Sequence, residues 1–235
     1  MSATGFMSTF EAQLATHYPD SLIDAQSYWQ PGTEEPGSAL NISPLLHYDF
    51  LRLDGPDSRK FLQGQTSCDW QQITAEQASR GAYCNLKGRV VSSFVGAMPS
   101  EDCALLRMSA DLCESTRLLL NKYIVFSKAS ISETRRQHHV IALWGDDAQS
   151  KISAVFGKCP QGELSGVVTA PDTVVIQSDH DGKRFECWLS DERACELWPA
   201  LSEGASVVPG GRWEAENIRA GIADVCAATQ DMFVP

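Results

Sequence analysis

Two stretches of the chain repeat one plan, and that repetition limits the fold more than any single motif. In the first, Asp49-Phe-Leu-Arg-Leu reads as a short strand closed by Asp54-Gly55-Pro56. Asp57 or Ser58 then caps a helix carrying Phe61 and Leu62, which Gly64 ends or kinks. Ala82-Tyr-Cys-Asn-Leu and the run Val90 to Met98 flank Lys87-Gly88 and predict two antiparallel strands about a glycine turn. Ala104-Leu-Leu-Arg-Met is a further strand, after which Ser109 caps a helix with Leu112, Leu119, Leu120 and Tyr123 at helical spacing. The chain returns to extended structure through Phe126 to Ser132. The second stretch offers strand His139 to Trp144, helix Asp146 to Phe156 closed by Gly157, strands Thr173 to Ile176 and Arg184 to Leu189, and helix Asp191 to Leu201.

The expected fold class is therefore α+β, built from two α/β subdomains. Neither half shows the unbroken strand and helix alternation, with short wholly apolar strands, that a doubly wound parallel sheet requires. Residues 1–43 read as a loosely structured lead-in, rich in Pro and Gly, with weak helical spacing only from Phe10 to Tyr18. Residues 44–135 form the first expected subdomain and residues 136–235 the second.

Charge and cysteine usage narrow the partners. Nineteen Lys and Arg against thirty Asp and Glu give a net charge of −11, which disfavours a whole-surface grip on nucleic acid or anionic lipid. No window approaches the roughly 18 consecutive apolar residues of a spanning helix, and Met1 to Glu11 lacks the pattern of a secretory signal. A cytoplasmic protein without membrane contact is expected. The eight cysteines form no C-x-x-C pair, so they read as reduced thiols and no metal site is expected. Neither G-x-G-x-x-G nor a P-loop is present, and the five histidines sit near no nucleophile signature, so nucleophilic hydrolysis finds no support.

Several clusters have chemistry to offer, each beside a plainer reading. Asn85-Leu-Lys87-Gly-Arg89 places an amide, an ammonium and a guanidinium around a turn that can face an anion; the residues alone read more simply as a solvated hairpin turn. The polar run from Gln63 to Asp69 reads first as helix termination. Tyr48, before the first strand, and Trp213, beside Gly210-Gly211, are candidate stacking walls for a planar heterocycle, although each taken alone is more commonly core. Arg135-Arg136 with His138-His139 makes a basic spot whose neighbours point to opposite faces of a strand and do not converge.

Taken together, Asp54-Gly-Pro-Asp-Ser-Arg-Lys-Phe-Leu-Gln-Gly-Gln-Thr-Ser-Cys-Asp69, Asn85-Leu-Lys-Gly-Arg89, Lys122-Tyr-Ile-Val-Phe-Ser-Lys128, Trp213 with Asn217-Ile-Arg-Ala-Gly-Ile222, and Phe233-Val-Pro235 resemble the YgfZ family. These are folate-binding proteins related to the glycine-cleavage aminomethyltransferase and described as tRNA-modifying. The resemblance spans about Leu45 to Pro235. It implies a fold of the aminomethyltransferase folate-binding type and a tetrahydrofolate-type cofactor in a central cleft. It also implies a cytoplasmic role in making or repairing iron–sulfur enzymes, including those that modify tRNA, with iron–sulfur enzymes or assembly proteins as partners. On the family's pattern Tyr48 and Trp213 match aromatic positions that contact folate. Lys87, Arg89 or Arg219 is then available to the carboxylates of the glutamate tail, with Asn85 in the same turn.

Three departures bear on the activity. Ser92 and Ser93 match the places where aminomethyltransferases carry paired aspartates. Arg219-Ala220-Gly221 replaces their E-A-G. The family's K-G-C-Y-x-G-Q-E signature and its closing C-terminal β-barrel are expected beyond Pro235. The expectation is a folate-binding accessory factor without a catalytic residue of its own. The alternatives are a tetrahydrofolate-dependent aminomethyl transferase, for which Asp69 is the nearby carboxylate, and an interaction module with a vestigial cleft.

Overall fold

The protein is described from a computed structural model covering residues 7–24, 28–32, 38–134, 136–170 and 172–235. Part of the expected lead-in and Arg135 lie outside the described residues. In chain order the elements are α1 (Thr9–His17), β1 (Leu22–Ile23), β2 (Trp29–Gln30), β3 (Asn41–Pro44), β4 (Tyr48–Asp54), α2 (Ser58–Gln65), β5 (Ser79–Cys84), β6 (Val90–Ser100) and β7 (Cys103–Ser109). There follow α3 (Ala110–Asn121), β8 (Ser130–Glu133), β9 (His138–Trp144), α4 (Ala148–Phe156), β10 (Gly166–Ala170), β11 (Thr173–Gln177), β12 (Arg184–Ser190), α5 (Asp191–Ser202), β13 (Ser206–Val207) and α6 (Gly210–Arg219).

The repeated plan becomes two sheets of matching order. The first runs β5-β6-β7-β4-β8 and the second β10-β11-β12-β9-β3-β13, so the strands of each half fall into the same sequence, with β3 inserted in the second. Each half enters its first helix through a glycine: Gly55 at φ 129° after β4, and Gly145 at φ 122° after β9. A Cβ on Gly55 would stand 2.3 Å from the Lys128 carbonyl oxygen, and one on Gly145 would stand 2.2 Å from that of Ala39. Glycine is needed there both for the left-handed backbone and for the close approach.

Alternation along each strand separates three apolar layers. Tyr48 and Phe50, Leu105, Val140, Ala142 and Trp144, Val174 and Ile176, and Trp188 share the layer between the two sheets with Trp213 of α6. Their neighbours face outward. Leu51, Leu53, Leu106 and Met108 pack with Phe61 and Leu62 of α2 and Cys113 and Leu120 of α3. Ile141, Leu143, Phe185 and Cys187 pack with Ile152 of α4, Trp198 of α5 and Phe10 and Leu14 of α1. The arrangement is helices, sheet, sheet, helices, an α+β protein with no closed barrel among the described residues.

The N-terminal stretch contributes to this packing. Ser8 and Glu11 make a capping box at the start of α1, and the backbone N–H groups of Thr9 and Phe10 donate to Asp191 at the head of α5. β3 lies within the second sheet, between β9 and β13. The eight cysteines are free, with Cys103, Cys113 and Cys187 buried.

Candidate functional site

Three inward positions in the middle layer carry charge where the strand pattern calls for apolar side chains. Arg107 alternates with Leu105 on β7, and Arg184 and Glu186 precede Trp188 on one face of β12; Arg107, Glu186 and Arg184 are 2%, 4% and 8% exposed. Burying an ion costs several kcal/mol unless it is paired, so the partners decide what the cluster is for.

Arg107 is paired through both terminal nitrogens, while its buried Nε has no acceptor. Its Nη2 donates to Glu186 Oε1 at 3.2 Å and its Nη1 to Asp224 Oδ2 at 3.3 Å, while its guanidinium carbon lies 4.0 Å from the Tyr48 ring centroid. Burial works against the Arg107 charge, but Glu186 and then Tyr48 and Asp224 outweigh it and hold the cation more firmly than usual. The Tyr48 hydroxyl lies 2.5 Å from Asp224 Oδ2 and 2.8 Å from Glu214 Oε1, gathering two carboxylates around one proton. His47 Nε2 is 3.0 Å from the same Glu214 oxygen. Burial pushes the Tyr48 phenol well above its ordinary range, reinforced by Asp224. Asp224 is pushed up by burial, yet Arg107 and the Tyr48 hydroxyl overcome this and keep its carboxyl below the usual range. Glu186 is completed by the Trp188 indole N–H at 2.9 Å.

Arg184 is treated differently. One nitrogen, Nη2, donates to the neutral side-chain oxygen of Asn217, and the guanidinium carbon stands 4.4 Å from the Trp213 ring centroid. Its Nε and Nη1 are buried with no acceptor, as is Nε1 of Trp213. Three orphaned donors in one place are unusual, because buried polar groups are nearly always bonded.

The segment after α6 seals one side of this cluster. Ser93 on β6 accepts the Val225 backbone N–H at 2.7 Å and lies 3.4 Å from Asp224 Oδ1. Ser92 is fully buried and its hydroxyl has no partner. Further along, Val90 N donates to the Phe233 carbonyl and Asp231 N to the Val90 carbonyl, at 2.8 and 2.9 Å.

The residues singled out from the sequence separate into a buried pair and an exposed set. Tyr48 and Trp213, 6% and 0% exposed, both belong to the middle layer, each with one ring face under a guanidinium. Asn85, Lys87 and Arg89 form one surface turn, in which the Asn85 side chain accepts the Lys87 and Arg89 N–H groups and donates to Asp231 at 2.8 Å. Arg89 reaches the Met232 carbonyl at 3.3 Å. Arg219 is exposed at the end of α6 and pairs with Glu216. Asp69 is exposed and closes a local turn by accepting the Gln71 N–H, so it brings no carboxylate to the cluster. The polar run from Gln63 serves Trp70: Gln63 accepts its backbone N–H at 2.6 Å and Thr66 its indole N–H at 2.8 Å. His138 and His139 face opposite ways, as strand neighbours must; His139 bonds Asp191 at 2.9 Å, and Arg136 pairs with Glu11.

Arg107, Glu186, Arg184, Glu214, Asn217 and Asp224 were not singled out from the sequence. A signal existed for three of them, since Arg107 interrupts Ala104-Leu-Leu-Arg-Met and Arg184 and Glu186 share the alternate face of Arg-Phe-Glu-Cys-Trp. Among the described residues no group of three or more His, Cys, Asp or Glu is placed to hold a metal ion, and no helix is long and apolar enough to cross a membrane.

Comparison with known proteins places this geometry in context. No family model matches the chain. The chain is 28% identical over 196 residues to a tRNA-modifying protein YgfZ of Escherichia coli, and 27% identical over 196 residues to the protein of that name from Escherichia fergusonii. In both cases the match covers 83% of this chain and 59% of the relative, so the chain spans about three fifths of the length of these proteins. The glycine cleavage system aminomethyltransferase T of Bartonella henselae superposes with a TM-score of 0.75 at 15% identity, over 90% of this chain and 62% of that one. The resemblance to the YgfZ family drawn from the motifs therefore stands, and the fold is that of the aminomethyltransferases.

Proposed function

We propose that the chain is a folate-binding accessory protein, acting in the assembly or repair of iron–sulfur enzymes and through them in tRNA modification. The observation that carries this reading is the placing of Tyr48 and Trp213 in one buried layer beside donors that have no acceptor. The chemistry there suits a reduced folate: its pterin and benzoyl rings match aromatic neighbours, and its carbonyl and ring nitrogens can satisfy a donor such as Trp213 Nε1. Tyr48 and Trp213 would hold the ring system. Lys87, Arg89 and Arg219 are the exposed cations offered to the tail, with Asn85 shaping the turn that carries the first two. When bound, the folate supplies a carrier for one-carbon units.

The chain's own groups favour binding over turnover. Aminomethyl transfer needs a carboxylate to position the reacting amine. Ser92 and Ser93 provide none, and Asp224 is already committed to Arg107 and Tyr48 and held in its ionised form. Similarity to proteins named tRNA-modifying supports the link to tRNA, while a net charge of −11 favours an indirect one in which this chain does not grip the nucleic acid. The cytoplasm is the compartment proposed.

Tryptophan fluorescence titration with tetrahydrofolate and 5-formyltetrahydrofolate tests the reading, with Trp213→Phe as the control. Saturable quenching that the substitution removes is expected. Absence of binding to a folded chain would overturn the folate assignment. Conversion of an aminomethyl carrier protein and tetrahydrofolate into methylenetetrahydrofolate would instead establish a transferase.

A further inference from the structure

We infer that Arg184 is the carboxylate-binding group of the site, a buried guanidinium kept short of acceptors so that a ligand carboxylate can supply them. It deepens the folate reading and rests on it for the identity of the molecule that carries the carboxylate.

Five observations lead here. The side chain is 8% exposed, yet two of its nitrogens, Nε and Nη1, are buried without an acceptor, and the third bonds only a neutral amide oxygen. Glu186, two residues along the same strand face, is spent on Arg107 and Trp188. Burial is the largest effect on Arg184 and makes its proton easier to lose than usual; Glu186, then Asp179 and Glu216, support its charge through space without bonding it, and Arg80 opposes it. Arg80 itself is committed to Glu163 at 2.7 Å and to the Ser178 carbonyl at 3.2 Å. The contrast is with Arg107, whose Nε is likewise unpartnered but whose two terminal nitrogens each meet a carboxylate, where Arg184 meets none.

Nε and one terminal nitrogen of a guanidinium make the fork that a carboxylate meets with two parallel hydrogen bonds. On a guanidinium that edge is Nε with Nη2, and Nη1 with Nη2 makes the other; Arg184 has an unsatisfied nitrogen on each, Nη2 keeps a second hydrogen beside its bond to Asn217, and the Trp213 ring lies against the guanidinium. Exposed cations such as Lys87, Arg89 and Arg219 form ion pairs worth little in water, so a buried fork is the stronger discriminator for a tail carboxylate. Because the orphaned atoms lie below the surface, α6, which carries both Trp213 and Asn217, has to move for a ligand to reach them.

The test compares three probes on the full chain by calorimetric titration: 5-formyltetrahydrofolate, p-aminobenzoylglutamate, which keeps the carboxylates and lacks the pterin, and 6-methyltetrahydropterin, which lacks the tail. Each is titrated into the natural chain, Arg184→Gln and Arg184→Lys. Arg184→Gln is expected to weaken both tailed probes by roughly 10- to 100-fold and the tail-free pterin by less than about threefold. Arg184→Lys is expected to recover part of the loss. Removing an under-paired buried cation does not by itself unfold a protein, and the unfolding transition of each variant checks this. Equal weakening of all three probes, or no weakening in a folded Arg184→Gln, would overturn the inference, as would failure of the natural chain to bind either tailed probe. Arg184-dependent binding of p-aminobenzoylglutamate without any binding of the pterin would sustain the carboxylate site and sink the folate reading alone.

Discussion

Ser93 Oγ accepts the backbone N–H of Val225 at 2.7 Å, tying strand β6 to the segment that follows α6. The same hydroxyl lies 3.4 Å from Asp224, which in turn touches Tyr48 and Arg107. The Ser93 hydroxyl therefore fastens the chain over its own buried cluster.

Replacing that hydroxyl should loosen the fastening. Ser93→Ala leaves the Val225 N–H without its acceptor and is expected to cost about 1–3 kcal/mol. Ser93→Asp sets a second carboxylate against Asp224 and is expected to cost more. Urea unfolding of the two variants measures both, and a Ser93→Ala midpoint equal to that of the natural chain would remove the latch from the account.

Arg107 is the keystone of the paired half of the cluster. Arg107→Ala abandons the Glu186 and Asp224 carboxylates in the layer between the sheets and is expected to destabilise by about 3–5 kcal/mol. Adding Glu186→Gln should recover part of that loss, because one uncompensated charge disappears with it. A double-mutant cycle in guanidinium chloride reads the coupling directly.

Acid should weaken the fold before its carboxylates titrate. Burial lowers His138 from 6.5 to about 4, with help from Arg52 and His139. Its native pKa lies below the unfolded one, so the unfolded chain takes up the proton first as the pH falls. The contribution of the neutral ring is complete above about 6.5, shrinks as the pH falls through the window, and is gone below about 4. The shift corresponds to about 3 kcal/mol. Stability measured at intervals from pH 7 to pH 4, against His138→Gln as reference, should show this slope, and an NMR titration placing His138 near 6.5 would refute it.

The two strand-to-helix glycines should respond alike. Gly55→Ala and Gly145→Ala each drive a Cβ into a carbonyl oxygen and strain a left-handed backbone, at 2.3 and 2.2 Å respectively. Each is expected to lose more than about 1 kcal/mol, whereas Gly64→Ala, which meets nothing within 4 Å inside α2, should be neutral or stabilising. Thermal unfolding of the three variants side by side makes the comparison.

The central strands β4, β7, β9, β11 and β12 and the helices α2 to α5 were legible in the residues because their signals are local: alternation, Gly157 in the left-handed region, and Asp57 and Ser109, which stand at the N-cap positions of α2 and α3 although neither side chain bonds the helix N–H groups. Elements lacking such a signal were not read. β3 has Ile42 as its one large apolar residue, β13 is two residues long, and α6 follows two glycines. For α1 the Ser8 and Glu11 capping box was a signal available in the sequence.

The sequence by itself determined the α+β class, the doubled plan and the family resemblance, and it singled out Tyr48 and Trp213. Only the tertiary structure decided what surrounds those two rings. Arg107 meets Glu186 across 79 residues and Asp224 across 117, and Arg184 meets Asn217 across 33. The central strands are covered on both faces, so apolar residues occupy both, and alternation alone does not say which face looks into the layer between the sheets. A charge on such a strand is a neutral fact until the partner strand is in place, and then its having or lacking a partner becomes the most informative feature of the molecule.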